Sequence, residues 1–67
     1  MEFKKILREL RKERNFTQKQ LAEKIGVTET SIRGWENNGC QPCYEILCQL
    51  ANFFEVTVGQ LLGIEEI

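Results

Sequence analysis

Phe3, Ile6, Leu7 and Leu10 recur at i, i+3, i+4 and i+7, with Lys, Arg and Glu filling the positions between them. That spacing lays four apolar side chains along one stripe of a helix and leaves charge on the rest. Asn15 and Phe16 interrupt the stripe. Thr17-Gln18-Lys19-Gln20 then has the form of a capping box, with Thr17 as N-cap and Gln20 reaching back. The short helix it opens carries Leu21, Ala22 and Ile25 and stops at Gly26, which tolerates a left-handed C-terminal conformation. Thr28 is placed to cap a third helix that carries Ile32 and Trp35 inward and ends at Asn37-Asn38-Gly39. Pro42, suited to a first helical turn, is expected to start a fourth, with Leu47, Leu50, Ala51 and Phe54 on one face. Thr57 and Gln60 repeat the capping box before a last turn through Leu61, Leu62 and Gly63. No stretch alternates with period two, so the pattern predicts an all-α fold of about five short helices, with residues 1–67 as one domain.

Composition narrows the chemistry. The 67 residues are 42% hydrophobic and 28% charged, ordinary for a globular chain, and contain no His and no Asp; Ser31 is the only Ser. His-based triads, His metal sites and Asp pairs are thereby excluded, and so short a chain has little room for a catalytic cleft. We expect neither an enzyme nor a cofactor. The longest apolar run, Ile46-Leu47-Cys48, is far too short to span a bilayer, and the mixed charges of the first five residues do not read as a signal peptide. A cytoplasmic chain with reduced thiols is the expectation.

The net charge of −1 conceals a split. All nine Lys and Arg lie in residues 1–33 beside five Glu, a balance of 9 − 5 = +4, while residues 34–67 hold the other five Glu and no base, a balance of −5. Such polarity suits one face turned toward an anion, although two solvated helix surfaces of opposite sign would look the same.

The segment from Gln18 to Asn37 carries the functional pattern. Two short helices joined by a tight turn must cross steeply, which Ala22 permits by its small size and Gly26 by its backbone freedom. Leu21, Ile25, Val27, Ile32 and Trp35 then point into one core. Thr28, Glu29, Thr30, Arg33, Gly34 and Asn37 remain outward on the second of the two helices, a convex rod that fits the major groove of B-DNA. For Trp35 the spacing from Ile32 and Val27 favours core over a base-stacking platform, and Phe16 reads as a cap on the core.

Thr17-Gln18, Leu21-Ala22, Gly26-Val27-Thr28, Ser31-Ile32, Trp35-Glu36, Pro42, Leu47, Leu50-Ala51, Val56 and Leu61-Leu62 together resemble the phage-repressor type of helix-turn-helix, the lambda-repressor and Cro-like or XRE-like class. The resemblance spans residues 3 to 62. It implies a lambda-repressor-like five-helix DNA-binding domain, with the third helix in the major groove and the helix-turn-helix at residues 17–37. It further implies that Gln18 clamps a phosphate, that Thr28, Glu29 and Thr30 reach base edges, and that Asn37 contacts the DNA backbone. Arg33, on the same side, would serve a phosphate or a guanine. Arg11 and Glu36 match an ion pair that often joins helices one and three in this family, read here as partly exposed and worth about 0–1 kcal/mol. Two residues depart from the pattern. Glu29 places a carboxylate where an amide is common and would help only by accepting from cytosine N4, and Gly34 has no side chain to offer.

Cys40-Gln41-Pro42-Cys43 is a C-x-x-C, with Cys48 close behind. A redox pair of that kind needs a preceding strand, and a metal site needs a fourth ligand that no His supplies. Helical spacing puts Cys43 on the core stripe and Cys48 off it, so buried or half-buried thiols are expected, with a Cys40–Cys43 disulfide open under oxidation. Ile46 and Phe53 form a second stripe on helix four; with Val58, Ile64 and Ile67 they suggest a homodimer surface, unless the C-terminal tail folds over them. The resulting expectation is a small transcriptional regulator, a repressor by family resemblance, that binds double-stranded DNA as a homodimer. The competing reading is a protein-interaction module that keeps the fold and has lost DNA binding.

Overall fold

Every helix end exposes N–H or C=O groups that the helix itself cannot satisfy, and the caps written into this chain decide where those ends fall. The computed structural model describes residues 3–66: α1 (Phe3–Glu13), α2 (Gln18–Ile25), α3 (Glu29–Asn37), α4 (Tyr44–Phe54) and α5 (Val58–Leu62), with no strand among the described residues. Both capping boxes form. Thr17 Oγ1 accepts from the Gln20 N–H at 3.0 Å while Gln20 Oε1 accepts from the Thr17 N–H at 2.8 Å, and Thr57 and Gln60 repeat the exchange at 3.0 and 2.9 Å. Thr28 caps α3 through the Ser31 N–H at 3.1 Å. Gly26 closes α2 at φ 87°, a left-handed conformation that a Cβ would strain, and returns its N–H to the Ala22 carbonyl.

The start of α4 differs from expectation. The helix begins at Tyr44, with Cys43 as N-cap at ψ 166°, so Pro42 lies two residues before the helix rather than in its first turn. Cys43, standing before the helical twist begins, is exposed instead of on the core stripe, and Cys48, expected off it, is half-buried. The end of α4 is also unforeseen: Glu55, not a glycine, takes φ 59°.

The core collects Phe3, Ile6 and Leu7 from α1, Leu21 and Ala22 from α2, Ile32 and Trp35 from α3, Leu47, Leu50, Ala51 and Phe54 from α4, and Leu61 from α5. Burying each large apolar side chain contributes about 1.5–3 kcal/mol. Leu10, Ile25 and Val27, expected inside, are half-buried against this cluster. α3 packs on α2 and α1, while α5 packs on α1 and α4. Among the described residues no helix is long and apolar enough to cross a membrane.

Candidate nucleic-acid interface

With Ile32 and Trp35 turned into the core, the opposite side of α3 is left to solvent. Thr28, Thr30, Arg33 and Asn37 are exposed there, and Glu29 and Gly34 are partly so. A Cβ built on Gly34 would meet nothing within 4 Å, so the surface is open at that point. The carboxylate that looked unfavourable beside DNA has a partner: Glu29 Oε2 accepts from Arg33 Nη2 at 3.2 Å, one helical turn away. The Thr28 hydroxyl is occupied locally, since it also shares a 3.0 Å hydrogen bond with the Ser31 hydroxyl.

Three helices meet at Glu36. This carboxylate, on the inner side of α3, is only 1% exposed. Arg11 grips it through both oxygens, Nε to Oε2 at 2.7 Å and Nη2 to Oε1 at 2.9 Å, while Nη1 donates to the Phe16 carbonyl at 2.8 Å and so ties down the α1–α2 turn. Gln18, at the start of α2, adds an Nε2 hydrogen bond to Glu36 Oε1 at 3.2 Å. The Arg11–Glu36 pair is therefore not the partly exposed pair expected from the sequence. Its two side chains are 12% and 0% exposed, because α1 and α3 pack directly over it. Breaking such a pair strands a charge in a low-dielectric site, at a cost of about 3–5 kcal/mol. Arg8 completes the arrangement, donating from Nη2 to the Glu36 carbonyl at 3.0 Å and to Asn37 Oδ1 at 3.1 Å. Sequence reasoning missed Arg8. Its position three residues before Arg11, on the same side of α1, was the available signal.

Thus Gln18 and Asn37 are joined through one network, while Glu29 and Arg33 pair separately on the outer side of α3. A helix-turn-helix family model matches residues 7–61. The chain belongs to the helix-turn-helix family of the phage-repressor type. It is 43% identical over 67 residues to the HTH-type transcriptional activator BcrR of Enterococcus faecalis, covering all of this chain and 33% of that protein. It is 31% identical over 67 residues to the HTH-type transcriptional regulator ImmR of Bacillus subtilis strain 168, covering all of this chain and 53% of ImmR. It is 35% identical over 63 residues to the cryptic phage CTXphi transcriptional repressor RstR of Vibrio cholerae, covering 94% of this chain and 56% of RstR. The chain thus spans between a third and just over half of the length of these relatives.

Ile46, Phe53 and Val58 are half-buried against the core, and Ile64 stands 79% exposed; Ile67 lies outside the described residues. Phe53 is engaged within the chain, its ring centroid 5.6 Å from that of Phe16 and 5.1 Å from that of Phe54, with the Arg14 guanidinium 6.0 Å above it. Cys40, Cys43 and Cys48 are free thiols, and no group of three metal-binding side chains assembles among the described residues. The exposed Tyr44 hydroxyl is held above its ordinary pKa of 10.0, first by a hydrogen bond with Cys48.

Proposed function

We propose that this helix-turn-helix domain binds duplex DNA at a specific site, with α3 in the major groove, and that it represses transcription in the cytoplasm as a homodimer. The observation that carries the reading is the division of α3: Thr30 and Arg33 face solvent while Ile32, Trp35 and Glu36 are enclosed. Arg33 is suited to a guanine edge or a phosphate, Thr30 to a hydroxyl contact with a base, and Glu29 to a cytosine amino group. Thr28, its hydroxyl spent on the cap, retains a methyl group for a thymine. Gln18 and Asn37 hold phosphates at the two ends of the reading segment, and the start of α2 adds the favourable pole of its helix dipole. Residues 1–67 act as one domain, with residues 17–37 doing the reading. Because one helix reads only a few base pairs, two copies on half-sites about one helical turn apart supply the discrimination, through Ile46, Phe53, Val58, Ile64 and Ile67.

Selection from a randomised duplex pool, repeated across a salt series, tests this. We expect a short palindromic site to be enriched and affinity to fall steeply as salt rises. A second reading, a protein-interaction module, draws on a cleft between α1 and the C-terminal turn lined by Glu9, Glu13, Glu65 and Glu66 around Ile6 and Ile64. That cleft repels DNA and suits a basic partner. Absence of selection at every salt concentration would favour it.

A further inference from the structure

The two ends of an asparagine amide do opposite things: the oxygen accepts and the nitrogen donates. Phosphate oxygens only accept, so Asn37 can serve the DNA backbone only with its nitrogen turned outward. Arg8 decides that orientation. Its Nη2 donates to Asn37 Oδ1 at 3.1 Å and to the Glu36 carbonyl at 3.0 Å. A guanidinium has five N–H donors and no acceptor, so the flipped amide would set donor against donor. Arg8 is itself restrained by the Glu36 carboxylate, with Nε 3.7 Å from Oε1. Gln18 is turned in the opposite sense, because the acceptor-only Glu36 carboxylate draws its nitrogen inward. One of the Gln18 N–H groups is thereby spent, and Asn37 is left as the better-prepared donor.

We infer that Arg8 is a positioning residue for DNA binding: from α1 it pins the Asn37 amide so that both N–H groups face a backbone phosphate. The inference rests on the reading of α3 as the DNA-binding helix. Arg8→Lys tests it, since lysine keeps the charge but its nitrogen ends one atom short of Nη2, the single atom that holds both acceptors. On the duplex selected by the wild-type protein, Asn37→Ala should weaken binding about tenfold, the loss of one or two charge-assisted hydrogen bonds. Arg8→Lys should lose most of the same factor, and the double variant should bind no more weakly than Asn37→Ala alone. In the free protein, Arg8→Lys should shift the Asn37 side-chain amide resonances while the backbone amides of α3 stay in place. Losses that multiply in the double variant overturn the inference, as do wild-type affinity in Arg8→Lys, unshifted Asn37 side-chain resonances, or an Asn37→Ala variant that binds normally. A wild-type protein that selects no duplex overturns the reading of α3 together with the inference. Selection with multiplying losses overturns the inference alone.

Discussion

Glu36 and Leu50 are both enclosed by the protein, yet they fix their helices by different means. Leu50 sits among the apolar side chains of α4, where burial stabilises through contact area and has no preferred direction. Glu36 takes directed bonds from Arg11 and Gln18, and its neighbouring carbonyl takes one from Arg8. The described ion pair that reaches α4's end, Arg14 with Glu55 at 3.4 Å, lies on the surface, and the exposure of its side chains makes it worth little. Apolar packing holds α4 and α5 together; α3 receives both packing and a network that sets its rotation against α1 and α2. Among the described residues, the buried charged residue is Glu36, where α1, α2 and α3 meet.

Truncation separates the two regions most visibly. Glu36→Ala should cost about 3–5 kcal/mol by stranding Arg11, and Leu50→Ala about 2–5 kcal/mol by leaving a cavity, both read from urea unfolding. Those losses alone do not separate direction from stability. The double variant Arg11→Met with Glu36→Leu does, since replacing a buried pair by apolar groups of similar volume is neutral or stabilising. We expect it to be no less stable than wild type and to bind the selected duplex at least about tenfold more weakly, a difference of about 1.4 kcal/mol. Wild-type affinity in that variant would contradict the orienting role of the network.

Smaller changes resolve the contrast further. Thr30→Ala with Arg33→Ala removes outward side chains, so unfolding should stay within about 0.5 kcal/mol of wild type. Discrimination between duplexes should fall by about 1–3 kcal/mol for each base that is no longer read. Thr17→Ala and Thr57→Ala each delete one side of a capping box and should each cost about 1 kcal/mol. Only Thr17→Ala, beside Gln18, should also weaken DNA binding; equal binding losses in both would show that stability alone was being read. Gly34→Ala should stabilise the free protein by up to about 1 kcal/mol, because glycine is a poor helix former and the added methyl meets nothing. It should weaken binding if the DNA approaches α3 at that point.

The parts of the fold legible in the sequence are those governed by local chemistry. Thr17 with Gln20, Thr57 with Gln60, and Gly26 announce helix ends because each satisfies backbone groups within a few residues. Leu47, Leu50, Ala51 and Phe54 announce a core face because they recur with the helical period. What escapes depends on distant partners. The resemblance pairs Glu36 with Arg11, but its burial follows only once α1 folds across α3 and covers it, and the value of Arg8 emerges only when residues 28 and 29 positions later arrive beside it. Cys43 defeats the periodic reading because a helical stripe does not extend backward through a residue that is not yet helical. Of the candidate site, the outward positions of Thr30 and Arg33 follow from the inward ones of Ile32 and Trp35. Glu29 and Arg33 are spaced like a helix pair, but spacing leaves both side chains a choice of rotamers, and only the folded surface of α3 brings them together.

Backbone and side-chain amide resonances of the labelled protein, followed while the selected duplex is titrated in, probe the outward face of α3 without any substitution. The largest shifts are expected at residues 17–18 and 28–37, including the Arg33 side chain, with α4 changed only where a second protomer meets it. Shifts concentrated along the acidic cleft of α1 and the C-terminal turn, with Thr30 and Arg33 unmoved, would contradict the assignment of α3 as the reading helix.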